Sequence, residues 1–109
     1  MEYFINPKAL SKIIDHSKKE LVLIFKHSLT CPVSIRAYER IFEGLKNGNV
    51  KYPVYLVIVQ NNRDLSNNIA QTIDITHESP QIILVKDGKA IYSASHDNIQ
   101  VENIPKNIS

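Results

Sequence analysis

The sequence predicts an α/β fold in which a four-stranded mixed sheet carries helices on both faces. Residues 21–25 and 54–59 are apolar runs without polar alternation, which is typical of strands buried on both faces of a sheet. A helical pattern separates the two runs, so we expect parallel strands joined by a right-handed crossover. A third apolar run, residues 82–85, precedes Asp87 and Gly88, and this turn signal predicts an antiparallel partner strand.

The first helix is predicted near the N-terminus, before the first strand. Asn6 is the expected N-cap and Pro7 lies in the expected first turn. Leu10, Ile13 and Ile14 then form a short apolar stripe at helical spacing. A polar run follows this stripe and ends the predicted helix.

Two further helices are predicted between the strands. The second runs from Pro32 to about Lys46, because apolar side chains recur on one face and charged side chains on the other. Its apolar face comprises Ile35, Tyr38, Ile41, Phe42 and Leu45. The third helix opens at residues 61–64, where asparagines offer caps and an acid lies in the first turn. Its core stripe comprises Leu65, Ile69 and Ile73.

The last part of the chain completes the predicted topology. Residues 90–94 are expected to return antiparallel to the third strand, and Asp97 and Asn98 to cap a short last helix over residues 99–103. The tail, residues 104–109, is expected to be loose. No repeat, low-complexity segment or linker interrupts the chain, so we predict one domain over residues 1–109. The order of elements is that of the thioredoxin-like architecture.

Composition and charge narrow the classes of function. The 109 residues are 43% hydrophobic and carry a net charge of +2 with scattered basic residues, which argues against a nucleic-acid partner. No apolar run approaches the ~20 residues of a membrane span, and the N-terminus lacks a signal-peptide pattern. We therefore expect a cytoplasmic protein without a membrane partner. Its single cysteine cannot form an internal disulfide, so the thiol is expected to be free, catalytic or redox-sensing.

Cys31, the only cysteine, lies where the first strand meets the second helix. Pro32 follows it and suits the first helical position, where a missing N–H is not needed. The N-terminus of a helix favours anions, and this environment lowers a cysteine pKa from ~8.5 to roughly 3.5–7.5. We therefore predict that Cys31 is a redox nucleophile. The alternative is a buried structural thiol, which the polar local sequence disfavours.

Ser34 stands where oxidoreductases of the Cys-x-x-Cys type carry their second cysteine. Serine cannot take part in disulfide exchange, so an outside thiol has to resolve a mixed disulfide on Cys31. This predicts a monothiol mechanism, and the alternative is a degenerate module that has lost catalysis. The residues predicted to stabilise the thiolate are Thr30, Pro32, Val33 and Ser34. Backbone N–H groups of Val33 and Ser34, or the Ser34 hydroxyl, are the expected donors.

Ser79 and Pro80 mark the second part of the predicted site. In a thioredoxin-like fold, the loop before the third strand packs against the redox cysteine and carries a cis proline, and Pro80 falls at that place. The backbone of Ser79 would then pair with an extended client segment. The alternative is an ordinary trans proline at the start of a strand.

Basic and polar side chains are expected at the same end of the sheet. Lys26, His27 and Arg36 are predicted to receive carboxylates of a thiol cofactor, and a histidine cation would lower the pKa of the thiol further. The predicted thiol-binding or client-binding residues are Lys26, His27, Arg36, His77, Ser79, Pro80, Ser95 and His96. For any single histidine, a solvated loop position is the alternative. Cys31 and the histidines also have zinc-ligand chemistry, but their spacing matches no zinc signature, so no metal is predicted.

Five segments resemble those of the monothiol bacilliredoxin family (YtxJ-like). They are Lys26-His27-Ser28, Thr30-Cys31-Pro32-Val33-Ser34, His77-Glu78-Ser79-Pro80-Gln81, Asp87-Gly88-Lys89 and Ser95-His96. The similarity covers nearly the whole chain, in the family's order. Leu29 and Asp97 depart from the family pattern, at positions where a polar and an aromatic residue are usual. The resemblance implies a thioredoxin-like fold in the cytoplasm of Gram-positive bacteria that make bacillithiol, with Cys31 as the reactive residue.

The family's activity is the removal of bacillithiol from protein mixed disulfides. The resemblance therefore implies bacillithiol as co-substrate, S-bacillithiolated proteins as partners and no permanently bound cofactor. In the predicted reaction Cys31 takes the bacillithiol from the client, and a second bacillithiol regenerates the thiol. Three alternatives stay open. They are a non-catalytic thioredoxin-like interaction module, a thiol peroxidase resolved by external thiols, and a partner of a disulfide reductase system.

Overall fold

Residues 3–106 fold into a mixed five-stranded sheet with three helices packed on its two faces. The structure is a computed structural model that describes residues 3–106. The elements are β1 (Phe4–Ile5), α1 (Leu10–Ser17), β2 (Val22–His27), α2 (Pro32–Asn47), β3 (Val54–Ile58), α3 (Arg63–Ile73), β4 (Gln81–Lys86), β5 (Lys89–Ser95) and the 3₁₀ turns η1 (His96–Asn98) and η2 (Val101–Asn103). The strand order is β1-β3-β2-β4-β5, with β2 and β3 parallel and β4 and β5 antiparallel. Within residues 3–106, no helix has both the length and the apolar composition needed to cross a bilayer.

The sheet has one strand more than the sequence predicts. β1 pairs in parallel with β3, with Phe4 opposite Val54, and forms one edge of the sheet. The Phe4 ring also stacks on Tyr38 of α2, with the ring centroids 5.0 Å apart. Two residues are too few to produce a periodic pattern, so this strand is defined by pairing and packing with distant residues.

The first helix starts later than predicted. Asn6 and Pro7 lie before α1, which begins at Leu10 with Ala9 as its N-cap. Ala9 has an extended backbone, with φ −158°, and makes no side-chain capping hydrogen bond. The predicted start is wrong because residues 6–9, which have no regular secondary structure, connect an edge strand to a helix on the face of the sheet.

Alternation along β2 divides the hydrophobic core into two layers. Leu23 and Phe25 pack in the layer that includes α2, whereas Val22 and Ile24 pack in the layer that includes α1 and α3. All four are fully buried, and burial of such a side chain stabilises the fold by about 1.5–3 kcal/mol. Lys26 and His27, the last two residues of β2, continue this alternation, so their side chains lie in opposite layers.

The C-terminal segment forms η1 and η2 where the sequence predicts a helix over residues 99–103. Ile99 is completely buried and Ile104 is 4% exposed, both in the core layer that contains α2. Side chains five residues apart do not share one face of an α-helix, so a turn delivers both to the core. The tail predicted to be loose, residues 104–109, is therefore packed at its first residue, and its last three residues lie outside the described part.

Gly44 allows α2 to approach two neighbouring segments closely. A Cβ atom at this position would lie 2.7 Å from Cγ2 of Val50 and 3.1 Å from Cγ2 of Val101. We expect Gly44→Ala to lower the free energy of unfolding by about 1–3 kcal/mol, because overpacking outweighs the gain in helix propensity. Urea unfolding measures the change, with the exposed Asn47→Ala on the same helix as control. Equal stability of Gly44→Ala and the wild type would contradict this close packing.

Candidate active site

Cys31 is the N-cap residue of α2, at the end of the loop that leaves β2. Its backbone is extended, with φ −97° and ψ 118°, and Pro32 occupies the first turn. The Cys31 carbonyl accepts the N–H of Ile35 at 3.0 Å, which starts the helical hydrogen bonding. The N–H groups of Val33 and Ser34 precede that bond, so they have no acceptor within the helix. The predicted position of this free, half-buried thiol at a helix N-terminus is confirmed.

Ser34 is completely buried and joins the end of β2 to the first turn of α2. Its Oγ accepts the backbone N–H of Ser28 at 2.9 Å and lies 2.7 Å from Nδ1 of His27. The hydroxyl has no hydrogen bond to Cys31 within residues 3–106, so its predicted bond to the thiolate stays a prediction. The backbone N–H groups of Val33 and Ser34 remain the donors at the start of the helix.

The loop before β4 is held by side-chain bonds to its own backbone. The Ser79–Pro80 peptide bond is cis. The buried side chain of Gln81 donates to the Thr76 carbonyl at 2.9 Å and accepts the Glu78 N–H at 3.3 Å. The Ser79 hydroxyl oxygen is buried and has no hydrogen-bond partner among residues 3–106. The backbone of the loop predicted to contact a client is therefore held in one conformation by the Gln81 side chain.

Two predicted binding residues at the end of β5 support this same loop. The Ser95 hydroxyl donates to the carboxylate of Glu78 in a short hydrogen bond. The backbone N–H of His96 donates to the carbonyl of Pro80 at 3.1 Å. His96 has a left-handed backbone, with φ 55°, which turns the chain into η1 and leaves the residue exposed. Ser95 thus holds the loop through its side chain, and His96 does so through its backbone.

Gln60 holds the loop before Cys31, a role that was not predicted from the sequence. Its Nε2 donates to Ser28 Oγ at 2.8 Å and to Thr30 Oγ1 at 3.4 Å, and its Oε1 accepts the Leu29 N–H at 3.3 Å. The side chain therefore spans the loop immediately before Cys31. One signal for it was available, because Gln60 is the first polar residue after the apolar run of β3, which runs parallel to β2.

The geometry of the thiol, the buried serine and the cis-proline loop agrees with the comparison to known proteins. A family model described as "Monothiol bacilliredoxin BrxC" matches residues 4–104. The chain belongs to the monothiol bacilliredoxin family. It is 31% identical to a solved protein with a thioredoxin fold, covering 92% of this chain and 88% of that chain at a TM-score of 0.80. The predicted thioredoxin-like fold and a redox role as a thiol–disulfide oxidoreductase are thereby supported.

Thioredoxins of more distant sequence have the same fold. The Fasciola hepatica protein is 22% identical at a TM-score of 0.62, covering 83% of this chain and 81% of that chain. The Trypanosoma brucei brucei protein is 12% identical at a TM-score of 0.68, covering 90% of this chain and 84% of that chain. At these identities the likeness concerns the fold alone.

His27 in this family member is a core residue. It is 5% exposed, and its ring packs against those of Phe25 and Tyr38, at centroid distances of 5.4 Å and 5.0 Å. Burial lowers the pKa of His27, so the ring is neutral at physiological pH. The predicted roles as a carboxylate ligand and as a cation beside the thiol are wrong, and so is the solvated loop position. In residues 3–106, no three histidine, cysteine or acidic side chains converge as metal ligands would.

Lys26 lies in the opposite layer and does not face the thiol. It is completely buried, and its Nζ donates to the Ser66 carbonyl and to Nδ1 of His77, each at 3.0 Å. Burial, then the Lys26 charge, lower the pKa of His77, while Glu78 acts in the opposite direction. The prediction that the Lys26 side chain binds a thiol cofactor beside Cys31 is wrong, because alternation along β2 directs it to the layer of α1 and α3.

Arg36 is the one predicted cation that is exposed near the start of α2. A guanidinium nitrogen of Arg36 lies 3.8 Å from a carboxylate oxygen of Asp97 in η1, and both side chains are more than half exposed. An exposed pair of this length stabilises a protein by less than about 1 kcal/mol. Arg36 is therefore free to exchange this partner for a carboxylate of a ligand, and its binding role stays a prediction.

Burial of Lys26 leads to a prediction about stability and pH. Burial lowers the pKa of Lys26 to about 8, so between pH 8 and the unfolded value of ~10.4 the unfolded chain holds a proton that the folded chain has lost. Stability due to this group therefore rises with pH across this window, by up to about 3 kcal/mol. We expect Lys26→Met to lose this rise, whereas the exposed Lys12→Met should keep it. Urea unfolding at pH 7.5 and 10.5 tests the difference, and parallel pH dependence of Lys26→Met and the wild type would contradict it.

Proposed function

We propose that this protein removes bacillithiol from S-bacillithiolated proteins by a monothiol mechanism. The Cys31 thiolate attacks the bacillithiol sulfur of the client disulfide, the disulfide bond breaks, and the client thiolate leaves and takes up a proton. Cys31 then carries bacillithiol in a mixed disulfide. A second bacillithiol thiolate attacks the bacillithiol sulfur of this adduct, releasing the Cys31 thiolate and oxidised bacillithiol. Bacillithiol is the co-substrate, the clients are the protein partners, and we place the reaction in the cytoplasm.

The observation that carries the proposal is the pairing of Cys31 with a buried Ser34. The thiol lies at the start of α2, where two N–H groups without helical acceptors and the helix dipole can interact with a sulfur nucleophile. Ser34 fills the place of a resolving cysteine, and its hydroxyl bonds His27 and Ser28. The chain thus offers an attacking sulfur and no internal resolving group, which supports resolution by a small external thiol.

The surroundings of Cys31 support a protein client as the other substrate. Leu29 and Ile35, on either side of Cys31 in the chain, are 50% and 43% exposed. Large exposed apolar side chains next to a reactive group are suited to contact with a partner protein. Ser79, on the loop with the cis peptide bond, offers backbone groups for an extended client segment.

The experiment that tests the proposal is intact-mass analysis after the reduced protein is mixed with oxidised bacillithiol at neutral pH. A parallel sample receives oxidised glutathione. We expect one bacillithiol adduct on Cys31, removal of the adduct by excess free bacillithiol, and poor formation of the glutathione adduct. Wild-type protein alkylated at Cys31 beforehand is the control and should stay unmodified.

Each alternative function gives a different result in this assay. If neither the bacillithiol adduct nor the glutathione adduct forms, the proposal is overturned in favour of a non-catalytic interaction module. Equal adducts with both thiols would leave a reactive thiol and overturn the preference for bacillithiol. Faster oxidation of Cys31 by peroxide than by oxidised bacillithiol would favour a thiol peroxidase. A stable mixed disulfide with a protein thiol would favour a partner of a disulfide reductase system.

A further inference from the structure

A second polar cluster lies in the core layer of α1 and α3, on the other face of the sheet from α2. At its centre is the ammonium group of Lys26, which is completely buried and donates to the Ser66 carbonyl and to Nδ1 of His77. An ammonium group has three N–H donors, and residues 3–106 provide these two acceptors and no third. The proposed thiol exchange gives Lys26 no role.

The buried charge of Lys26 lacks a counter-charge within the described chain. No Asp or Glu oxygen in residues 3–106 lies within 4.0 Å of its Nζ, although buried charges in proteins are normally paired. The nearby acid, Glu78, acts on His77 and accepts the hydroxyl of Ser95. With a pKa of about 8, Lys26 keeps most of its charge at neutral pH. An anion beside Lys26 would supply the counter-charge that residues 3–106 do not.

A recess of about 100 Å³ opens next to the cluster, with Val59, Arg63, Ser66, Asn67 and His77 as its lining. No acidic side chain contributes to this lining. Because Nδ1 of His77 accepts from Lys26, the ring proton of neutral His77 is on Nε2, which makes that nitrogen a donor. The guanidinium, ring N–H and amide groups of the lining are the donors that an oxyanion requires, whereas the Ser66 hydroxyl lies 3.2 Å from Nδ1 of His77 and donates to it. The volume also suffices for a small ion, since a water takes about 30 Å³.

We propose that the recess binds a small oxyanion, with Lys26 and Arg63 as its counter-charges and His77 as a hydrogen-bond donor. The chemistry fits inorganic phosphate and the carboxylate group of a small acid. The proposal is independent of the thiol exchange, because neither Cys31 nor any residue of α2 lines the recess. His77 lies two residues before Ser79, so a bound anion would also restrain the loop that faces the client.

The test uses the full-length wild type, with sodium phosphate and sodium acetate compared against sodium chloride at equal ionic strength and neutral pH. We expect a saturable rise of Tm with phosphate or acetate beyond that with chloride, because a ligand that binds only the folded state stabilises it. The His77 ring resonances should shift along the same saturation curve in NMR spectra. A response to phosphate alone assigns a phosphate-type anion, and an equal response to acetate assigns a carboxylate.

Variants decide whether the recess is the site. Arg63 is exposed, so Arg63→Gln should fold normally and bind the anion roughly tenfold more weakly. The exposed Lys89→Gln, which removes one positive charge elsewhere, should bind like the wild type. Cys31→Ser should also bind like the wild type, which separates failure of this proposal from failure of the thiol chemistry. Equal responses to all three salts, or an unchanged affinity of Arg63→Gln, would overturn the proposal.

Discussion

Replacing Cys31 with serine is expected to reduce thiol exchange to the uncatalysed background. The Cys31 sulfur is the only one in the chain that can form a mixed disulfide, since the other sulfur belongs to a methionine. A serine hydroxyl cannot attack a disulfide to form an S–S bond, so neither the adduct nor its release can occur. Release of bacillithiol from a modified client, followed by intact mass, measures the loss.

The fold of Cys31→Ser should be unchanged, which makes the variant a clean test. Cys31 is only half-buried and its side chain makes no capping hydrogen bond with α2. We expect the free energy of unfolding to stay within about 1 kcal/mol of the wild type. Serine can also cap a helix, so α2 should form normally. Turnover by this variant above the background rate would show that the proposed mechanism is wrong.

Replacing Ser34 with alanine is expected to lower the free energy of unfolding by about 2–4 kcal/mol, because it leaves one buried and one half-buried polar group without their partner. These groups are the backbone N–H of Ser28 and Nδ1 of His27, which lie 2.9 Å and 2.7 Å from the serine oxygen. The side chain is completely buried, so water cannot replace it without a rearrangement of α2 against β2. Urea unfolding measures the loss of stability.

The same variant separates a structural role of Ser34 from a role in stabilising the thiolate. We expect the rate of adduct formation on Cys31 to stay within a few-fold of the wild type under conditions where the variant is folded. Ser93→Ala, at an exposed position of β5, is the control and should change stability by less than about 0.5 kcal/mol. Full stability together with a large loss of adduct formation would instead assign the hydroxyl to the thiolate.

Much of the fold could be predicted from local patterns. The two apolar runs contain the parallel strands β2 and β3, because β2 is buried throughout and β3 is buried or half-buried throughout, and periodicity reports burial directly. The hairpin at Asp87 and Gly88 forms because both residues accept a positive φ, observed at 51° and 75°. The edge strand β1 could not be predicted, since it has two residues and depends on pairing with Val54 and Tyr55.

The position of Cys31 could be predicted from the sequence, but the surroundings of Lys26 and His27 could not. The position of the thiol follows from a cysteine and a proline after a buried strand, which is local chemistry. The surroundings of Lys26 and His27 do not follow, because lysine and histidine at the end of a strand are ordinarily exposed. Their burial results from the way α2 and α3 cover the two faces of the sheet.

The class of fold, the position of the cysteine at a helix start and the lack of a second cysteine in the motif could all be inferred from the sequence. These features depend on residue type and on spacing within one or two turns of chain. The hydrogen bonds that hold the two loops of the candidate site depend instead on the tertiary structure. The Ser34 hydroxyl bonds β2, Gln60 spans the loop before Cys31, and Ser95 bonds Glu78. The physical reason is that these hydrogen bonds join residues brought together by strand pairing and helix packing, which no local pattern encodes.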